Sequence, residues 1–177
     1  MTMGHVFIGT SLDGFIAREN GDIDWLVRFS AQGEDHGFEA HMARVDGVIM
    51  GRGTFETISD IDPWIYDKPV LVLTRSLAPS DLPQRLVGKV EFLSASPEEA
   101  MDLAASRGWR GAYIDGGQVI QAFLRAGLIA DMVISRVPVL IGRGLPLFGA
   151  LEADLTLQHV ETRSFPSGLV QSHYKVR

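Results

Sequence analysis

Short, continuous apolar runs recur along this chain at His5–Thr10, Val45–Met50, Val70–Thr74, Val90–Leu93, Ala112–Ile114 and Met132–Leu140. Their lack of in–out alternation restricts the fold more than any other feature. A strand that is apolar at nearly every position must be covered on both faces, and such strands belong to parallel sheets flanked by helices. Segments with helical spacing lie between several of the runs: Glu34–Arg44, a short one from Thr54, Pro97–Arg107 and Gln118–Ala126. The alternation predicts an α/β fold with a mostly parallel central sheet.

Two helices carry clear end signals. Ser96 precedes Pro97 and Glu99, the N-cap, first-position proline and capping-box glutamate of a helix that stops before Gly108. The helix from Gln118 puts Val119, Ile120, Phe123 and Leu124 on one face and has Gly127 as its C-terminal cap. The tail differs. Leu155–Arg163 and Leu169–Val176 alternate in part and flank a Phe-Pro-Ser-Gly turn, which predicts an antiparallel hairpin at one side of the sheet. Neither a repeat nor a linker interrupts the chain, so residues 1–177 read as one domain.

The net charge of −6 and the absence of a Lys/Arg block argue against nucleic acid or an anionic membrane as the main partner. The sequence contains no cysteine, which removes disulfides, thiolate metal sites and cysteine nucleophiles. No apolar run approaches the roughly 20 residues needed to span a bilayer, and a cytoplasmic location is expected. The five histidines show no His-x-x-x-His spacing and no Gly-x-Ser-x-Gly elbow accompanies them, so neither a metal site nor serine hydrolysis is expected. Trp64 and Trp109 read as packing residues.

Three strand ends stand out against this acidic background. In "YIDGGQVIQAFL" a strand hands over to a helix through Gly116-Gly117, followed by Gln118 and Val119. The first backbone N–H groups of a helix have no intrahelical partner, so a glycine-lined turn there is either a phosphate site or a tight turn needing positive φ. "VIMGRGTFETI" repeats the design with Gly51, Arg52 and Thr54, and "PVLVLTRS" ends on Thr74, Arg75 and Ser76. Two arginines and several hydroxyls at strand carboxyl ends suit an adenosine phosphate, and NADP more than NAD, because a 2′-phosphate calls for a guanidinium. The ordinary Gly-x-Gly-x-x-Gly dinucleotide fingerprint and the P-loop are both missing.

"VIMGRGTFETI" resembles the Gly-Arg-x-Thr turn of dihydrofolate reductases, and "YIDGGQVIQAFL" resembles the Gly-Gly turn and helix that hold the NADPH pyrophosphate in that fold. "SLDGFIA" and "ISRVPVLIGRGLPLF" are similar more narrowly to the RibD C-terminal domain family, the reductases of riboflavin biosynthesis. The resemblance spans nearly the whole chain. It implies a dihydrofolate reductase-like three-layer fold and an NADPH-dependent reductase with its cofactor on Gly51, Arg52, Thr54, Thr74, Arg75, Ser76, Gly116, Gly117, Gln118 and Val119. It also implies hydride transfer to a C=N or C=O of a small pyrimidine- or pterin-like substrate, most like 5-amino-6-(5-phosphoribosylamino)uracil. Dihydrofolate reductase and a non-catalytic NADP-binding protein are the alternatives, and relatives imply a homodimer.

Substrate residues carry over less directly. The family's spacing from the Gly-Arg turn lands on Asp35 as the ring-binding carboxylate, where a helix N-cap is the competing reading. Asp13 and Asp24 are the other candidates for proton donor. Ser11 and Trp25 complete the expected substrate contacts, Trp25 as a stacking wall. Asp13-Gly14 also reads as a simple turn. With no cysteine, the zinc deamination that accompanies the reductase in bifunctional relatives is not expected of this chain.

Overall fold

The computed structural model describes residues 2–30 and 33–177. In chain order the elements are β1 (Met3–Ser11), β2 (Phe15–Ala17), α1 (Asp24–Ser30), α2 (Phe38–Ala43), β3 (Gly47–Gly51), α3 (Arg52–Ile58), β4 (Val70–Leu73) and β5 (Val90–Leu93). They continue as α4 (Pro97–Ser106), β6 (Gly111–Asp115), α5 (Gly117–Arg125), β7 (Ile129–Val137), β8 (Leu145–Pro146), β9 (Leu157–Ser164) and β10 (Val170–Val176).

Eight strands form one sheet in the order β5-β4-β3-β6-β1-β7-β10-β9. The six from β5 to β7 are parallel, and β10 then β9 add on antiparallel, so the hairpin closes one side. β2 and β8 pair separately as a two-stranded flap. Alternate residues of each central strand supply two cores. Ile49, Leu71, Ala112 and Ile114 face α4 and α5, while Val48, Met50, Val70, Val72 and Tyr113 face α2 and α3. This is the three-layer arrangement that runs without alternation require.

The helix ends follow their signals. Ser96 Oγ accepts from Glu99 N at 3.2 Å and Glu99 Oε2 accepts from Ser96 N at 2.7 Å, a complete capping box. α4 and α5 both close with the bond characteristic of a glycine-terminated helix, Trp109 N to Ala104 O and Leu128 N to Phe123 O.

Three segments differ from the sequence expectation. The helix expected over Glu34–Arg44 begins only at Phe38, because Gly37 takes φ 84° at its N-terminus and Glu34 is drawn away to Ser167. α1 and the flap β2/β8 lie where only loop was expected. The strand expected over Met132–Leu140 sits three residues earlier, at Ile129–Val137, where it follows directly on the end of α5.

Asp131, near the start of β7, binds three elements together. Its carboxylate meets His5 Nδ1 of β1 at 3.0 Å, Arg44 Nη2 beyond α2 at 2.9 Å and His173 Nε2 of β10 at 3.7 Å. Burial pushes its pKa up, but the His5 hydrogen bond and the charges of His5 and Arg44 outweigh that and hold it at about 2. Nearby, His41 of α2 is buried between the rings of Phe7 and Tyr113. Burial, aided by the positive Arg44, draws its pKa down to about 4.

Candidate active site

Parallel strands β4, β3 and β6 end side by side, and the turn after each opens onto one cleft of about 1250 Å³. Such a crevice outside the carboxyl ends of the strands is where open α/β sheets bind ligands. All three glycine and arginine turns singled out in the sequence line it: Gly51, Arg52 and Thr54, then Thr74, Arg75 and Ser76, then Gly116 through Val119.

The glycine pair has two separate reasons. Gly116 holds φ 92°, and a Cβ there would stand 2.5 Å from Thr54 Oγ1, so this residue both turns the chain and lets the second turn close over it. Gly117 begins α5 beneath the flap, where a Cβ would come 2.9 Å from Pro146 O and 3.0 Å from Ile16 Cδ1. Gln121 fastens the flap to the helix through Nε2, which donates to Pro146 O and Leu147 O, both at 3.2 Å. Helix geometry leaves the first N–H groups of α5 without intrahelical acceptors at the cleft wall.

Arg52 is set in position before any ligand arrives. Its Nη1 donates to Ser76 Oγ at 2.9 Å, and its Nε lies 3.6 Å from Glu56 Oε1. Thr74 Oγ1 accepts from the backbone N–H of Ser76 and of Leu77, each at 3.2 Å, which fixes the turn that presents Arg75 and Ser76. A cradle without obstructing Cβ atoms, a helix N-terminus and two guanidinium groups fit a nucleotide phosphate.

The expected substrate residues are placed elsewhere. The Asp13 carboxylate accepts from the backbone N–H of Gly142 at 2.8 Å and of Ile141 at 3.3 Å, and with the Ser11 hydroxyl these bonds hold its pKa low. Asp24 is bonded to Arg18 Nε at 2.8 Å, which lowers its pKa too. Asp35 is exposed in the segment before α2, with Oδ1 accepting from Gly37 N at 2.8 Å. Ser11 is fully buried and its Oγ accepts from Phe15 N at 3.0 Å. Trp25 packs with Val137 and Leu169 in a third small core. None of these five is among the described residues that line the cleft; Leu26, next to Trp25, is.

The carboxylate that does line the cleft among these strand ends is Asp115, at the end of β6 and directly before the glycine pair. Burial raises its pKa; the Gly116 N–H and the hydroxyls of Tyr113 and Tyr66 pull the other way, and the balance is about 6. Both tyrosines are buried and keep their protons, and the Tyr113 hydroxyl has Phe7 O at 2.9 Å as a second acceptor that competes for its proton. Asp115 went unread in the sequence because it completes an apolar strand. Its signal was present: a carboxylate at a strand's carboxyl end, adjoining a turn already suspected of holding ligand.

Residues 4–171 match the RibD C-terminal domain family. The chain belongs to that family. The uncharacterized protein YwjB of Bacillus subtilis is 32% identical over 96% of this chain and 95% of its own length. A Shewanella sp. PV-4 structure assigned to riboflavin biosynthesis superposes with a TM-score of 0.90 at 39% identity, covering 99% of each chain. The Thermotoga maritima diaminohydroxyphosphoribosylaminopyrimidine deaminase/5-amino-6-(5-phosphoribosylamino)uracil reductase shares the fold at a TM-score of 0.75 and 16% identity, over 99% of this chain and 57% of that one. The RibD C-terminal family is reductase-like, and the cleft of this member is lined by glycine and arginine turns at three strand ends. Among the described residues no helix is long and apolar enough to cross a membrane, and no cluster of His, Asp or Glu is arranged to hold a metal ion.

Proposed function

We propose that this protein is an NADPH-dependent reductase of a small pyrimidine- or pterin-like ring. The observation that carries the proposal is the convergence of three phosphate-competent turns on one cleft that also contains a half-buried carboxylate with a raised pKa. Reductases of this family generally use NADPH, which supports the choice of cofactor. When bound, NADPH supplies a hydride to the carbon of a C=N or C=O and leaves as NADP⁺. The first N–H groups of α5 and the Gly51–Thr54 turn would hold the phosphates. Arg52 and Arg75 would meet the 2′-phosphate.

Asp115 would give its proton to the nitrogen or oxygen of the reduced bond and be reprotonated from water. A carboxyl that titrates near 6 is protonated often enough at neutral pH to act so. We assign this role to Asp115, which lines the cleft, ahead of Asp35, Asp13 and Asp24, which do not. Phe7 and Leu26, which also line the cleft, would offer apolar walls for a flat ring.

Titration with NADPH and NADH, followed by tryptophan fluorescence, tests the cofactor site. NADPH should bind at least about tenfold more tightly, and Arg75→Ala or Arg52→Ala should erase most of that preference. Equal binding of the two cofactors would remove the 2′-phosphate assignment. NADPH binding without turnover on aminouracil or dihydropterin compounds would favour a non-catalytic binding protein.

A further inference from the structure

The charges around the cleft are unevenly divided. Among the described residues its cations are Arg52 and Arg75, both at the ends of β3 and β4, and Glu56 stands beside Arg52. The half towards β1, on the far side of β6 from β3 and β4, is lined by Phe7 and Gly9 with Leu26 of α1 against Gly9, and the remaining charged groups of the cleft are Glu19, Asp22 and Asp115. Glu19 is exposed at the mouth. Asp22 is fixed there by Oδ1, which accepts from Asp24 N at 2.8 Å, and the adjoining Gly21 approaches Thr57 of α3 across the opening. Arg18, the cation nearest in sequence, spends its guanidinium on Asp24, with Nε–Oδ1 at 2.8 Å and Nη2–Oδ2 at 3.4 Å.

A phosphomonoester is held by cations or by clustered N–H donors, and like charges in a cleft repel it more strongly than they would in open water. We infer that the ligand of this half is an unphosphorylated, neutral or protonatable ring. The inference rests on the reductase reading for the pyrimidine or pterin class of that ring, and narrows it. It separates this protein's substrate from the phosphoribosylaminouracil in the name of the Thermotoga maritima enzyme. It equally disfavours dihydrofolate, whose glutamate tail is anionic.

The test is calorimetric binding to the full-length chain, with and without saturating NADP⁺, of three probes: 5-amino-6-(5-phosphoribosylamino)uracil, its dephosphorylated form and 7,8-dihydrobiopterin. At least one unphosphorylated probe should bind about tenfold or more tightly than the phosphorylated compound. The gap should shrink with added salt, since Glu19 is exposed. Glu19→Lys should tighten the phosphorylated compound about fivefold and leave the others within about twofold. Tighter binding of the phosphorylated compound by the unaltered protein overturns the inference, and so does failure of all three probes to bind. Loss of NADP⁺ binding with the ring preference intact would instead count against the reductase reading alone.

Discussion

At Gly116 a single hydrogen in place of a methyl group decides whether two turns can meet. Alanine there would have to hold φ 92° and place its Cβ 2.5 Å from Thr54 Oγ1. Gly116→Ala should therefore cost about 1–2 kcal/mol in stability and weaken NADPH about tenfold or more. Gly53 is the internal control, since a Cβ there meets nothing within 4 Å and lies in a helical turn. Gly53→Ala should raise stability by about 0.5–1 kcal/mol, as thermal melts would report. Equal losses from the two variants would mean that the close approach at Gly116 has no special role.

Asp115 makes a second prediction at this scale. Its folded pKa of about 6 lies above the ordinary 3.8, so its contribution to stability is fully present below the ordinary value and is lost as pH rises through 6. Asp115→Asn should raise the melting temperature at pH 8 while lowering NADPH oxidation by about 10²-fold or more, and cofactor affinity should be unchanged. In the unaltered protein the reduction rate should fall as pH rises past about 6. A rate that is flat through that range, or a variant with full activity, would remove Asp115 as proton donor.

Among the elements, the coupling of α3 to the end of β4 is the most informative. Arg52 belongs to α3 and Ser76 follows β4, and one hydrogen bond of 2.9 Å joins them. Ser76→Ala should free the guanidinium and weaken NADPH about threefold to tenfold with little effect on NADH. Parallel calorimetry of the two cofactors would check it, and equal effects would show that Ser76 does not act through Arg52. Elements were legible in the sequence where local signals agreed. α4 was announced by Ser96, Pro97 and Glu99, and the parallel strands by unbroken apolar runs. α1 was not, because its start depends on the Asp22 and Arg18 contacts that only the folded loop supplies. Helical spacing across Glu34–Arg44 overran the true start because periodicity does not register the backbone turn at Gly37. The three turns that line the cleft were readable because glycine and arginine coincide at successive strand ends. The floor of the cleft was not, since Phe7, Leu26 and Asp115 come from three distant segments.

For the molecule as a whole, acid response is set where the helical layer meets the sheet. His41 titrates near 4 when folded and at 6.5 when free, so unfolding takes up a proton between those values. The His41 contribution to stability should be greatest above 6.5 and fall by about 3 kcal/mol as pH drops towards 4, while that of Asp115 rises over much of the same interval. Both ring nitrogens lack a hydrogen-bond partner, so His41→Phe should cost little at neutral pH and leave the variant more stable than the unaltered protein, relative to neutral pH, as pH falls from 6.5 towards 4. Denaturant unfolding across the range would decide it, and an unchanged slope in the variant would place the acid response elsewhere. The Asp131 contacts with His5, Arg44 and His173 should persist through this interval, because they give way only as pH falls through about 2.

The sheet order also bears on how the protein is made. β1 lies between β6 and β7, with Met3 opposite Gly111 and Ser11 opposite Val137. During synthesis β1 thus has neither neighbour until about a hundred further residues have been made. Such distant pairing slows folding and leaves an apolar segment uncovered in the meantime. Val137, which completes β7, lies 126 residues beyond Ser11, and until it has been made the central strand cannot be sheltered on both edges.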